Sequence, residues 1–191
     1  MIKKICIIGF GSIGQRHYKI LNKNFPKKEI YIFSRRKLKI KNSISSLNKL
    51  LKINPDYFII CTETSNHYNI LKNFLSKFNH KIFLVEKPIF LKPANIKLNN
   101  NRVFVGYNLR FHPVIQKIKK IISNKEIIYI NSYCNSYLPR WRKRDYKKSY
   151  SADISKGGGV LYDLSHEIDY ILYLFGKFKI IYSYNNKISN L

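Results

Sequence analysis

The residues with the clearest capacity for chemistry lie in two stretches of the chain. In the first, a short apolar run ends in Glu86-Lys87-Pro88. In the second, three consecutive glycines precede an amphipathic segment that carries Asp163, His166 and Glu167. An amine, an imidazole and neighbouring carboxylates are groups suited to general acid–base work. We therefore take Lys87 as the candidate centre of a reaction site, with His166 and Asp163 as candidate catalytic partners.

The elements that precede Lys87 predict a nucleotide site. Ile5 to Ile8 is a continuous apolar run typical of a parallel strand, and a glycine-rich turn and a helical stretch follow it directly. The first glycine permits a tight turn, the second lets backbone approach a pyrophosphate, and the third lets the helix lie close to the strand. A turn without a ligand is the alternative. The expected cofactor-binding residues of this loop are Gly9, Gly11, Ser12, Ile13 and Gly14.

The end of the second strand bears on which dinucleotide binds. Ile30 to Phe33 is followed by Ser34-Arg35-Arg36, where an NAD-specific site would place an acidic residue for the ribose 2'-hydroxyl. A serine and two arginines suit a 2'-phosphate instead. NADP(H) is therefore favoured, with NAD(H) left open, and Ser34 and Arg35 join the predicted cofactor site.

Further buried strands are expected at Tyr57 to Cys61, Ile82 to Val85 and Val103 to Val105, alternating with helices. Such alternation predicts a parallel sheet of the Rossmann type, closing near Arg110. Ligands of open α/β sheets bind beyond the carboxyl ends of the strands. The residues expected there as cofactor contacts are Thr62, Asn66, His67, Glu86 and Lys87. Of these, His67 is interpreted as a packing or cofactor-contacting residue, not as a base.

The remaining residues, 111–191, predict a second, incomplete α/β domain with an open sheet. A helix is expected from Pro113 to Ile122, strands at Glu126 to Tyr137 and Lys179 to Tyr184, and one amphipathic helix from Val160 to Phe175. On that helix the apolar side should face a core and the polar side a cleft, or else simply water. The predicted apolar side comprises Leu161, Leu164, Ile168, Ile171 and Phe175, and the polar side comprises Asp163, His166, Glu167 and Tyr170.

These motifs, in this order, resemble the Gfo/Idh/MocA family of NAD(P)-dependent sugar oxidoreductases, over nearly the whole chain. The matching stretches are GFGSIG, TETSNHY, EKP, GYNLRFHP and GGGVLYDLSHEIDY. The stretches YLPRWR, DYKKSYSA and DLSHEIDYILYLFG look most like a bacterial subgroup encoded with nonulosonic-acid and surface-sugar synthesis. The resemblance implies a Rossmann domain, residues 1–110, and a substrate-binding and dimerisation domain, residues 111–191.

The resemblance also implies hydride exchange between the nicotinamide and a hydroxyl or keto carbon of a sugar or nucleotide sugar. Lys87 would hydrogen-bond the substrate oxygen, Glu86 would orient the lysine, and Pro88 would follow a cis peptide bond as in many relatives. The implied substrate-binding residues are Arg110, Trp141, Arg142, Asp163, His166 and Glu167. No metal is implied.

Two departures from the family pattern stand out. Relatives place the aspartate and histidine four residues apart, whereas here His166 is three after Asp163 and Glu167 takes the fourth place. His166 is preferred as the acid or base because an imidazole titrates near working pH, with Asp163 or Asp169 setting its tautomer; Glu167 stays open. The family's second domain also continues further, so the chain is expected to be truncated and its activity alone reduced or absent, with an incomplete oligomer interface.

Composition limits the other function classes. The formal net charge of +26 would suit nucleic acid or an anionic membrane, but the lysines are scattered along the chain among many Ile, Asn and Tyr residues. We therefore expect neither as a specific partner. Three widely spaced cysteines suit a reducing cytoplasm, and no apolar run reaches membrane-spanning length. The alternative function is a catalytically silent protein of the same fold that senses dinucleotides or sugars.

Overall fold

The structure is a computed structural model that describes residues 1–141 and 145–186. The chain divides into two compact units, residues 1–106 and residues 107–191. The first unit contains a parallel sheet of six strands in the order β3-β2-β1-β4-β5-β6. Its strands are β1 (Lys4–Ile8), β2 (Glu29–Phe33), β3 (Ser43–Ile44), β4 (Tyr57–Ile60), β5 (Ile82–Val85) and β6 (Arg102–Val105).

Helices cover both faces of this sheet: α1 (Ser12–Asn24), α2 (Leu47–Ile53) and α3 (Thr64–Leu75). Alternate residues of β1 point to opposite faces, as the two-residue strand period requires. Ile5 and Ile7 join a core cluster against which residues of α1 pack, while Cys6 and Ile8 join a larger cluster that includes residues of α2 and α3. This doubly wound arrangement confirms the predicted α/β class.

The second unit contains α4 (Pro113–Ile122), α5 (Val160–Asp163) and α6 (Ser165–Phe175), together with several short 3-10 turns. The strands expected at Glu126 to Tyr137 and Lys179 to Tyr184 are not formed, and these two predictions were wrong. Both segments are described without a paired neighbour, and Ile128 and Ile181 are 96% and 94% exposed. A strand satisfies its backbone groups only by pairing, so apolar and β-branched residues alone do not produce one.

The single helix expected from Val160 to Phe175 is also corrected. It breaks at Leu164, whose φ of -99° and ψ of 24° leave the helical region. The break changes which side chains are buried: Leu161 and Ile168 are exposed, while Asp163 and Asp169 are buried. In the first unit, the short strand β3 is followed after two residues by α2.

Candidate active site

The carboxyl ends of three neighbouring strands align at one edge of the sheet. Ile8 of β1 lies opposite Ile60 of β4, and Ile60 lies opposite Val85 of β5. The hydrogen-bonded pairing of β1 with β4 extends one residue further, because the amide of Cys61 donates to the carbonyl of Ile8 at 2.8 Å. The loops that leave this edge begin at Gly9, Cys61 and Glu86. All predicted cofactor residues except Ser34 and Arg35 belong to these loops or to the helices that follow them.

The glycine loop has the shape that a dinucleotide requires. A Cβ on Gly14 would lie 2.3 Å from the carbonyl oxygen of Gly9, so only glycine lets α1 approach the loop this closely. Gly9 has a φ of +88°, in the left-handed region that favours glycine. A Cβ on Gly11, by contrast, would meet nothing within 4 Å. The backbone at Gly11 therefore faces open space.

Helix α1 begins directly after Gly11, which makes no side-chain cap. Its first turn contains no acidic residue, so its N–H groups and positive dipole end are available to an anion. Ser12 is exposed, whereas Ile13 packs against the core beneath α1. Ser12 can thus offer a hydroxyl and backbone N–H, and Ile13 only its backbone. The open space at Gly11 beside a free helix N-terminus fits a pyrophosphate.

At the end of β2 the structure distinguishes the two arginines. Ser34 is buried, and its hydroxyl accepts a hydrogen bond from the amide of Arg36 at 3.1 Å. Arg36 donates from Nη2 to the carbonyl oxygen of Phe10 at 2.7 Å, which holds its guanidinium beside the glycine loop. Both arginines are exposed overall, so it is this hydrogen bond that distinguishes Arg36 as the arginine held against the loop.

The loop after β4 contributes Thr62, Asn66 and His67. Thr62 Oγ1 is buried and has no hydrogen-bond partner among the residues that the structure describes. Asn66 is exposed in the first turn of α3. His67 is 1% exposed and both ring nitrogens face backbone carbonyl oxygens, which is the arrangement of a packing residue. Burial lowers the pKa of His67, although the hydrogen bonds to those carbonyls and the charge of Glu86 act to raise it.

The loop after β5 carries the Glu86-Lys87-Pro88 stretch. Lys87 is half-buried, and its peptide bond to Pro88 is cis. The carboxylate of Glu86 lies 2.7 Å from His17 Nε2, a contact from α1 that the sequence reasoning missed. Burial and the charge of Glu86 together raise the pKa of the Cys61 thiol, which is therefore inert near neutral pH.

In the second unit Asp163, His166 and Glu167 lie around the break between α5 and α6. Asp163 is buried, and its carboxylate accepts hydrogen bonds from Tyr150 at 3.0 Å and from Ser151. The His166 ring packs edge-on to Tyr107, with centroids 5.7 Å apart. Glu167 Oε2 is buried and has no hydrogen-bond partner in the described part of the chain. Both candidates for acid or base therefore occupy the same helical turn.

The remaining predicted substrate contacts have other partners. Arg110 forms a bidentate pair with Asp169, at 2.8 Å and 2.5 Å. This engagement makes Asp169 the anchor of Arg110. Trp141 Nε1 donates to Ser136 Oγ. Arg142 lies outside the described residues.

His17 and Arg36 are the positions that sequence reasoning did not select. His17 stands three residues after Gly14, on the helix face that approaches the sheet, so its spacing could have indicated a contact with a strand end. The sequence does not distinguish Arg36 from Arg35, because only the fold shows which side chain turns back to Phe10.

Comparison with known proteins identifies the family. The model of the Gfo/Idh/MocA oxidoreductase family with an NAD-binding Rossmann fold matches residues 3–101, more than half of the chain. The chain belongs to this oxidoreductase family. The family's C-terminal alpha/beta domain matches residues 118–187. The resemblance seen in the sequence motifs is thereby confirmed, as is the NAD-binding Rossmann fold.

A curated relative is the uncharacterized oxidoreductase YrbE of Bacillus subtilis (strain 168). It is 25% identical over an alignment 189 positions long, and the alignment covers 89% of this chain and 53% of YrbE. The WlbA (WbpB) dehydrogenase of Thermus thermophilus, solved with NAD and UDP-GlcNAcA, is 20% identical with a TM-score of 0.69, covering 92% of this chain and 64% of that one. The Bordetella pertussis WlbA dehydrogenase, solved with NADH and UDP-GlcNAcA, is 19% identical with a TM-score of 0.70. The match covers 92% of this chain and 59% of the Bordetella chain. The chain thus spans about half to two thirds of their lengths.

Two structural findings bear on other site types. Among the described residues no group of three or more His, Cys, Asp or Glu side chains is placed to hold a metal ion. No helix in residues 1–141 or 145–186 is long and apolar enough to cross a membrane.

Proposed function

We propose that this chain carries the dinucleotide site and the lysine of an oxidoreductase that transfers a hydride between NADP(H) or NAD(H) and a hydroxyl or keto carbon of a sugar. The observation that carries the proposal is the glycine loop: Gly14 has no room for a Cβ and Gly11 faces open space. A strand–helix turn without a ligand would need the first property but not the second. Lys87 emerges from the same sheet edge, two strands away.

Each residue of the site has a definite task in this reaction. When bound, the nicotinamide dinucleotide supplies or accepts the hydride. Lys87, through its ammonium group, donates a hydrogen bond to the substrate oxygen and stabilises negative charge that develops there. His166 is the proposed group that takes or gives a proton in the reaction, and Glu167 is the alternative group for this step. Asp163 positions the turn that carries both.

The preference for NADP(H) over NAD(H) follows from the end of β2. Residues 34–37 include no carboxylate for a ribose 2'-hydroxyl. The Arg36 guanidinium is held near the loop by the Phe10 carbonyl. A cation in that place attracts a 2'-phosphate through a charge-assisted contact. Ser34 fixes the backbone of Arg36 and does not itself need to touch the phosphate.

The proposed substrate class is a sugar or nucleotide sugar. Support comes from the two WlbA dehydrogenases of the same fold, which were solved with UDP-GlcNAcA. All three cysteines are free, which suits the reducing cytoplasm that we propose as the site of action.

A turnover assay tests the proposal. The purified chain is mixed with NADP⁺ or NAD⁺ and UDP-GlcNAcA or a panel of simple sugars, and the absorbance of reduced nicotinamide is followed. Lys87→Met should abolish any turnover while leaving NADPH binding intact, because the methionine fills a similar volume without the charge. Turnover unchanged by Lys87→Met would remove the lysine from the mechanism.

A further inference from the structure

His67 connects two of the loops at the site edge. Its Nδ1 lies 3.1 Å from the carbonyl oxygen of Pro88 and 3.2 Å from that of Ile89, while its Nε2 lies 3.0 Å from that of Thr62. The ring is 1% exposed, so water does not replace these contacts. One side chain therefore ties the loop after β4 to the segment that directly follows Lys87.

Which ring nitrogen of His67 donates a hydrogen bond depends on which one carries the proton. Carbonyl oxygens only accept, so a neutral imidazole can donate on one side alone. Burial lowers the pKa of His67, which favours the neutral ring. A proton on Nδ1 serves two carbonyls, whereas a proton on Nε2 serves one. The Nδ1–H tautomer is thus favoured, and the donor points at the residues after Lys87.

A second imidazole holds the residue before Lys87. His17 Nε2 lies 2.7 Å from Glu86 Oε1, and the two side chains are only 22% and 16% exposed. The other carboxylate oxygen lies close to Gly106, since a Cβ there would meet Glu86 Oε2 at 3.3 Å. Because His17 belongs to α1, the helix that follows the glycine loop, this contact links Glu86 to the element that receives the pyrophosphate.

We propose that His17 and His67 are positioning residues that form a clamp on the segment 86–89. His17 contacts Glu86, the residue before Lys87, and His67 contacts the carbonyl oxygens of the two residues after it. The clamp fixes the lysine relative to the glycine loop through α1 and relative to the loop after β4 through α3. Its importance for catalysis rests on the proposed function of Lys87. Its existence is a property of the folded chain alone and is testable without substrate.

Amide hydrogen exchange, followed by mass spectrometry on the whole chain without ligand, tests the clamp. A peptide covering residues 86–91 reports on the segment, and a peptide covering β2 reports on global opening. An asparagine amide can take the place of Nδ1, and a glutamine amide that of Nε2. His67→Gln should therefore raise exchange in residues 86–91 about tenfold, as loss of one buried hydrogen bond would. His67→Asn should stay close to the parent protein.

The His17 contact has a parallel test. His17→Gln keeps a donor for the Glu86 carboxylate and should leave exchange in residues 86–91 unchanged, whereas His17→Leu should raise it several-fold. The matched control is His80→Asn, because His80 is an exposed histidine of the same unit whose φ of 57° asparagine tolerates.

The outcomes separate cleanly. Faster exchange confined to residues 86–91, with rescue by His67→Asn and His17→Gln, supports the clamp. Equal exchange in His67→Asn and His67→Gln, or acceleration shared by β2, would show a merely structural role and overturn it. A parallel titration of the parent protein with NADPH keeps the two proposals apart: failure to bind would remove the proposed function, while the exchange result would still decide the clamp.

Discussion

Replacing Gly11 and Gly14 separately with alanine should divide cofactor binding from folding, because the two glycines meet opposite constraints. A Cβ on Gly11 has no heavy atom within 4 Å, and its φ of -77° is open to any residue. Alanine is a poorer helix N-cap than glycine, so Gly11→Ala should cost roughly 0.5–1 kcal/mol of unfolding free energy. It nevertheless places a methyl group where a pyrophosphate would approach the backbone.

The expected loss of affinity in Gly11→Ala follows from the hydrogen bonds at risk. Hydrogen bonds to a charged group contribute about 1.5–3 kcal/mol each, and displacing a phosphate from two N–H groups would cost about 3 kcal/mol. That loss corresponds to a dissociation constant for NADPH raised about 100-fold.

Gly14→Ala should behave differently, since its Cβ would lie 2.3 Å from the Gly9 carbonyl oxygen. Helix α1 would have to move by about 1 Å, and such overpacking costs roughly 1–3 kcal/mol or more. This variant should therefore lose stability and affinity together. Urea unfolding supplies the free energies and fluorescence titration the dissociation constants. Parent-like NADPH affinity in Gly11→Ala, or parent-like stability in Gly14→Ala, would refute the reasoning.

Three other features lead to direct measurements. A thiol reagent should modify Cys134 alone in the folded protein and all three cysteines in denaturant, because Cys6 and Cys61 are buried; early labelling of either buried thiol would contradict the packing. Burial would raise the pKa of Asp56, but the amides of Lys4 and Lys3 outweigh it and lower that pKa. Asp56 therefore stabilises the folded protein above an unfolded pKa of about 3.9, and this stabilisation is lost as the pH falls through the lower folded pKa. Asp56→Asn should reduce the free energy of unfolding by about 1 kcal/mol at neutral pH and by less in acid. A reduction that does not depend on pH would exclude this linkage. Asp169→Asn should destabilise the second unit by about 1–3 kcal/mol by weakening the bidentate pair with Arg110, measurable by thermal unfolding, with an unchanged melting temperature as the contrary result.

The first unit could be predicted closely from sequence because its signals are local. Buried parallel strands appear as short apolar runs, and the glycine spacing indicates both the turn and the helix that follows it. The expected start of the fold, from Ile5 through Gly14, agrees with β1 and α1. Helix α4 agrees at both ends because a proline begins it and its apolar residues recur at helical spacing.

The second unit could not be predicted as well because its structure depends on partners distant in sequence. Residues around Ile128 and Ile181 have strand-like composition, but pairing decides whether a strand forms, and pairing is not a local property. Similarly, the prediction that Leu161 lies on the buried, apolar side assumed one continuous helix. Asp163 and Asp169 are buried instead because Tyr150 and Arg110 supply them with hydrogen bonds.

The contacts on either side of Lys87 illustrate the same limit at the site. The sequence places Glu86, Lys87 and Pro88 at a strand end, but nothing in that stretch indicates which side chains contact it and fix its position. His17 and His67 become visible only when α1 and α3 are laid on the sheet. Positioning residues of this kind contact backbone or neighbouring side chains, so their type and spacing carry little signal of their own.

The central claim is that residues 1–106 form a working dinucleotide site. Titrating the purified chain with NADPH and NADH, while following nicotinamide fluorescence, tests it most directly. We predict saturable binding with one site per chain, tighter for NADPH than for NADH, and strongly weakened in Gly11→Ala. A folded chain that shows no saturable binding of either dinucleotide would contradict the claim.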